Sequence, residues 1–182
     1  MDSKKIIIFS DTHGSSSVLK TVLNWAKDRI PPNGTIHCAA FLGDGISDIR
    51  HAAESTGFYS DWKYVRGNND YEASVPDSAV FEFADHRFYM CHGHRHSLYG
   101  SYHMLVNSGH SNNANIVLFG HTHVPYHKNV NGILLVNPGS AGRPRSRIGS
   151  TFAVIECTPG EMPKVEFWGI GNNKVYPVEL RG

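Results

Sequence analysis

Six short apolar runs in this chain each stop abruptly at a small polar cluster. Lys5-Ile6-Ile7-Ile8-Phe9 meets Ser10-Asp11-Thr12-His13-Gly14, and Phe41-Leu42 meets Gly43-Asp44. Tyr64-Val65 meets Arg66-Gly67-Asn68-Asn69-Asp70, and Phe88-Tyr89-Met90 meets Cys91-His92-Gly93-His94. Ile116-Val117-Leu118-Phe119 meets Gly120-His121-Thr122-His123, and Ile133-Leu134-Leu135-Val136 meets Asn137-Pro138-Gly139-Ser140. Runs this short and this apolar are those of buried strands, too short for helices. Strands packed side by side bring their ends together, however far apart they lie in sequence. Asp, Asn and His at those ends can therefore converge as metal ligands.

The rhythm between the runs sets the fold class. Residues 4–10, 35–42 and 61–66 read as strands, separated by helices at 15–29 and from Asp44 to about Ser55. Val18, Leu19, Val22, Leu23 and Ala26 share one face of the first helix; Ser15 to Ser17 offer caps, and Pro31-Pro32-Asn33-Gly34 ends the segment. This β-α-β-α-β alternation predicts parallel strands with right-handed crossovers. After Pro76 the spacing predicts strands at 78–84 and 86–91 joined at Ala84-Asp85, then a helix over 97–110, which Gly100 and Ser101 weaken. Further strands follow near 115–119, 124–130, 133–136, 150–156, 163–169 and 174–179, with Asn131-Gly132 a type I′ turn signal. No repeat or linker divides the chain, so two sheets with helices outside form one expected domain over residues 1–182.

Composition excludes several classes. A chain of 182 residues, 40% apolar and 18% charged, can bury a sizeable core. A formal charge of +1 gives no general reason to expect nucleic acid or a membrane surface as partner. No apolar run approaches the roughly 20 residues that span a bilayer. Lys4-Lys5 precedes only four apolar residues before Ser10-Asp11, so no signal peptide is expected and the location read is cytoplasmic. Cys38, Cys91 and Cys157 lie far apart without CxxC spacing, as buried free thiols do. Trp25, Trp62 and Trp168 belong to no motif and read as packing residues.

The unusual count is 12 histidines, of which six fall between His86 and His110 and three between His121 and His127. In extended backbone, residues two apart face the same side, so Asp11 with His13, and His121 with His123, can each point at one spot. A lone pair of this kind is weak evidence. Five clusters together offer carboxylate (Asp11, Asp44), amide oxygen (Asn68) and imidazole (His13, His92, His121, His123). That donor set suits manganese, iron or zinc better than a thiolate site would. Gly14, Gly43, Gly67, Gly93 and Gly120 flank the polar residues, as strand ends or close approaches require.

In order, Asp-x-His-Gly, Gly-Asp, Gly-Asn-x-Asp, His-Gly-His and Gly-His-Thr-His resemble the blocks of the calcineurin-like metallophosphoesterases. The stretch from Asn137 to Arg145 resembles the small bacterial and archaeal phosphodiesterase branch, which includes the retromer subunit of this fold. The resemblance covers residues 6 to about 145. It implies an α/β fold, a four-layer α/β/β/α sandwich with two divalent metal ions at the strand ends. By position, Asp11, His13 and His123 bind the first ion, Asn68, His92 and His121 the second, and Asp44 bridges. Manganese leads as the metal, with iron, zinc, nickel or cobalt as alternatives. The implied activity is hydrolysis of a small phosphodiester by a bridging hydroxide in line with the leaving group. Alternatives are a non-catalytic protein-binding scaffold and a phosphomonoesterase. Relatives often form dimers or tetramers, so a homo-oligomer is compatible.

Many relatives carry His where this chain has Asn69. An amide cannot serve as a proton donor near neutrality, so the expectation is that Asn69 orients the phosphate and that good leaving groups are favoured. Asp70 reads as a supporting residue. His94 is the candidate acid or phosphate contact among the later histidines, with His96 beside it. Arg143, Arg145 and Arg147 can offer guanidinium forks to a phosphate, or simply line a solvated loop.

Overall fold

The computed structural model describes residues 3–29 and 36–180. The Pro31 to Gly34 stop signal lies outside the described residues. Two sheets carry the fold. The first runs β11-β10-β9-β1-β2-β3 and the second β4-β5-β6-β8-β7. β1 (Lys4–Phe9), β2 (Ile36–Phe41) and β3 (Asp61–Tyr64) are parallel neighbours, linked by α1 (Ser16–Lys27) and α2 (Ile46–Thr56). β9 (Ser150–Cys157), β10 (Lys164–Gly171) and β11 (Lys174–Val178) extend that sheet antiparallel from β1. In the second sheet β5 (His86–Cys91), β6 (Ile116–Leu118) and β8 (Ile133–Pro138) are parallel. β4 (Ser78–Phe83) and β7 (Pro125–Val130) close its edges antiparallel, and α3 (His103–Ser111) packs outside.

Alternation along the strands builds four layers. Ile7, Phe9, Ala39 and Phe41 face α1 and α2, where they meet Leu19, Leu23 and Ile49. The intervening Ile6, Ile8, Cys38 and Ala40 face the other sheet and meet Phe88, Met90 and Leu134. Tyr89, Val117 and Leu135 point the opposite way onto Leu105 and Val106 of α3. Each fully buried Ile, Leu or Phe contributes about 1.5–3 kcal/mol, so a one-residue slip of any central strand would forfeit both of its faces. This is the α/β/β/α sandwich expected from the sequence.

Two helix starts and one cap differ from expectation. α2 begins at Ile46, because Asp44 (φ 60°) and Gly45 (φ 139°) are left-handed and outside helical geometry. The helix expected over 97–110 starts only at His103, since Ser97 (φ 46°) and Gly100 (φ 103°) break the preceding stretch. Ser15 occupies the N-cap of α1 but makes no side-chain capping bond. Ala84-Asp85 and Asn131-Gly132 both turn with positive φ at each residue, the type I′ pattern. All three cysteines are free and buried, and burial pushes each thiol up to about 12. Trp25, Trp62 and Trp168 pack partly buried against the helix-side core. No helix among the described residues is long and apolar enough to cross a membrane.

Candidate metal centre

The loops after β1, β2, β3, β5 and β6 meet at one edge of the sandwich, and hydrogen bonds knit them. Asp11 N–H donates to Gly43 O at 3.0 Å, and the N–H groups of Thr12 and His13 both reach Asp44 O at 3.0 and 3.1 Å. Gly120 N–H donates to His92 O at 2.9 Å. Such close docking leaves no room for side chains between loops. A methyl on Gly67 would overlap the Asp44 carboxylate, and one on Gly120 would overlap the Ser10 hydroxyl.

Among the described residues two groups of possible ligands result: Asp11, His13 and His123, and Asp11, Asp44 and His92. Asp11 Oδ1 lies 3.1 Å from His123 Nε2 and 3.8 Å from the Nε2 atoms of both His13 and His92. Asp44 Oδ2 lies 3.6 Å from His13 Nε2 and 3.5 Å from His92 Nε2. Both carboxylates therefore face both halves of the centre. Asn68 and His121 line the cavity that opens over it, about 480 Å³ in volume, together with His13, Asp44 and His123.

The atoms not aimed inward are held by partners. Ser10 Oγ and His121 N–H donate to Asp11 Oδ2, which leaves Oδ1 free. His92 Nδ1 donates to Leu42 O at 2.7 Å, and His123 Nδ1 to Arg143 O at 2.6 Å, which leaves each Nε2 as an acceptor. Asp11 Oδ1 and His92 Nε2 are buried without a hydrogen-bond partner. Orphaned polar atoms of this kind are costly unless something else binds them. A divalent cation fits: the lone pairs converge and the donor set is carboxylate plus imidazole.

Backbone geometry carries the same message. Asp11, His13, Asp44, His121 and His123 all have φ between 45° and 67°. Non-glycine residues there cost on the order of 1 kcal/mol each and persist where surrounding contacts over-determine them.

Electrostatics polarises the cluster. Burial works against a charged Asp44, but the nearby charge of a protonated His92 and the two hydrogen bonds donated by Asn69 outweigh it and hold the carboxyl well below its usual range. Burial likewise disfavours a charged His92, yet Asp44 and Asp11 raise its pKa above the ordinary value. His13, His94 and His121 go the other way, lowered chiefly by burial.

The supporting residues divide sharply. Asn69 turns onto Asp44: its backbone N–H reaches Oδ1 at 2.8 Å and its amide Nδ2 reaches Oδ2 at 2.6 Å. Asp70 accepts from the backbone N–H groups of Asp44, Gly45, Ile46 and Gly67 at 2.7–3.0 Å, fixing the loop and the start of α2. His94 lines a separate cavity of about 300 Å³ with Asp77 and His96, its ring 5.4 Å from that of His92. His96 turns away toward Ser108 of α3 at 3.3 Å. Arg143 and Arg145 line the main cavity; Arg147 does not.

Several contributors were not foreseen. Asp48 ties the first loop to α2 through Thr12 Oγ1 at 2.6 Å and Gly14 N–H at 2.7 Å. The sixth polar cluster supplies no candidate ligand atom but locks two loops that carry them. Asn137 Nδ2 donates to Gly120 O at 2.8 Å, and Ser140 Oγ to Asp11 O at 2.7 Å. The polar run after β8 was a visible signal, but nothing in it names its partners.

A domain model of the calcineurin-like phosphoesterase superfamily matches residues 5–160, and the chain belongs to that superfamily. It is 24% identical to a probable metallophosphoesterase of Bacillus subtilis, YsnB, over 97% of both chains. It is 28% identical to one of Mycoplasma pneumoniae, covering 90% of this chain and 96% of that one. A Streptococcus pneumoniae structure described as a predicted phosphoesterase superposes with TM-score 0.76 at 25% identity, over 98% of this chain and 99% of that one. Vps29 of Entamoeba histolytica, solved with zinc, gives 0.71 at 21% identity over 96% and 97%. An archaeal phosphodiesterase gives 0.68 at 22% identity over 88% and 98%.

Proposed function

We propose that this phosphoesterase-superfamily chain is a phosphodiesterase that works with two divalent cations, manganese first among them. The observation that carries the reading is Asp44 Oδ2, set 3.6 Å from His13 Nε2 and 3.5 Å from His92 Nε2. In this assignment Asp11, His13 and His123 would hold one cation, Asn68, His92 and His121 the other, and Asp44 would serve both. When bound, such a pair neutralises phosphate oxygens and lowers the pKa of the attacking water.

The chain's own groups do the rest. Ser10 and the His121 N–H fix Asp11, Leu42 and Arg143 carbonyls orient His92 and His123, and Asn69 and Asp70 hold Asp44 in place. In this reading Arg143 and Arg145, which line the cavity, meet a nonbridging phosphate oxygen. Asn69 can still hydrogen-bond a phosphate oxygen, and His94, its ring 5.4 Å from that of His92, is a candidate to protonate the leaving group. The choice of diesters over monoesters is supported by the likeness to a structure described as an archaeal phosphodiesterase. The proposed setting is the cytoplasm, in keeping with three free thiols.

A scaffold role is the second reading, supported by the likeness to Vps29. Hydrolysis of bis(p-nitrophenyl) phosphate and of p-nitrophenyl phosphate, after stripping and reloading with Mn²⁺, separates these readings. The expected result is metal-dependent turnover, greater on the diester and abolished by Asp44→Ala. No metal-dependent turnover of either ester would favour the scaffold, and full activity in Asp44→Ala would overturn the site assignment.

A further inference from the structure

Two tyrosines stand in solvent beside the metal centre. Tyr71 is 92% exposed and Tyr99 is 79% exposed. Scattered surface aromatics need no explanation. These two are not scattered: each lines one of two cavities that share His13, Asp44 and Asn69. The Tyr99 ring also sets its edge against the ring of His121, with centroids 6.5 Å apart.

A monoester brings one organic substituent to the phosphorus; a diester brings two, pointing in different directions. Two cavities joined at the candidate ligands give each substituent its own space. Charge differs between them. The Tyr99 side carries Arg143 and Arg145, whereas the Tyr71 side carries Asp48, Asp70 and Glu72. A further phosphate is tolerated on the first side and repelled on the second. An exposed aromatic face in each space offers a stacking platform, which every nucleobase can use regardless of sequence.

We infer that the site takes a linear diester joining two nucleosides, with Tyr99 and Tyr71 each stacking one base. The inference rests on the phosphodiesterase reading above. Hydrolysis adds water across one P–O bond: the water oxygen joins phosphorus, the ester oxygen leaves with a proton, and a nucleoside and a nucleoside monophosphate result. The net charge of +1 does not oppose this, because a dinucleotide has too few phosphates to need a basic groove.

The test compares two esters with one leaving group, thymidine 5′-(p-nitrophenyl phosphate) and methyl p-nitrophenyl phosphate. The wild type is expected to prefer the thymidine ester by roughly tenfold in kcat/KM, the scale of one base stack. That preference should fall toward unity in Tyr99→Ala or Tyr71→Ala and return in the matching Phe variant, since stacking does not need the hydroxyl. A wild-type ratio near one, or a ratio unchanged in both Ala variants, overturns the inference. If neither ester is turned over, the phosphodiesterase reading fails separately. Binding of the dinucleotide TpT in EDTA then decides the platforms: affinity lost in the Ala variants and kept in the Phe variants supports them, and absence of binding overturns them.

Discussion

Asn69 holds Asp44 at both oxygens, through its backbone N–H at 2.8 Å and its side-chain amide at 2.6 Å. The residue that departs from the usual histidine thus serves the carboxylate assigned to bridge the two cations. It makes Asn69 a positioning residue for Asp44.

Removing the amide should loosen that carboxylate. Asn69→Ala is expected to raise the Mn²⁺ concentration for half-maximal activity by roughly tenfold, with a smaller fall in the plateau rate. Metal titration of activity on bis(p-nitrophenyl) phosphate reads this directly. An unchanged half-saturation point with a reduced plateau would assign Asn69 to the phosphate alone.

Asn69→His tests the missing proton donor. An imidazole there should raise kcat most for poor leaving groups such as alkoxides and least for p-nitrophenol. The measurement is the slope of log kcat against leaving-group pKa, which should become shallower. A uniform change across leaving groups would count against this role.

His121 has φ 67°, where only glycine sits without penalty. Gly in place of Ala ordinarily destabilises a folded chain. Here His121→Gly should be more stable than His121→Ala by about 1 kcal/mol, while both lose activity. Urea unfolding of the two metal-free variants compares them, and an Ala variant as stable as the Gly variant would remove the case for stored strain.

Metal loading should depend on pH through His92. Burial opposes its charge, but Asp44 and Asp11 raise its pKa above 6.5, so its proton stabilises the metal-free fold fully below 6.5. That contribution is lost as pH rises through the raised folded-state pKa, and a cation no longer has to displace the proton. The Mn²⁺-induced rise in Tm should therefore grow from pH 6 to pH 8. Thermal scans with Mn²⁺ and with EDTA across that range test it; a constant difference would mean His92 gives up no proton on loading.

Much of the architecture was legible because it is written in local periodicity. Ile6 and Ile8 against Ile7 and Phe9 already announce two buried faces, and the sandwich uses both. Boundaries failed where one residue took an unusual conformation: α2 starts two residues after Asp44, and Gly100 delays α3 to His103. Of the candidate ligands, Asp11, His13, Asp44, His92 and His123 fall into close groups, with Asn68 and His121 on the cavity wall. His96 shared the same local signal and points elsewhere, because residue type does not reveal which loop a side chain will meet.

The sequence alone determined the strands, their two-faced burial and the chemical types gathered at their ends, because these follow from apolar spacing and from what Asp, Asn and His can donate. The tertiary structure decided the partnerships. His92 is oriented by a carbonyl 50 residues away, the Asp11 carboxylate by a backbone N–H 110 residues away, and Asp44 by an amide 25 residues away. Such contacts exist only once the strand ends meet. The same closure holds five candidate ligand residues in left-handed backbone and leaves Tyr71 and Tyr99 exposed, each lining a cavity that also carries His13 and Asp44.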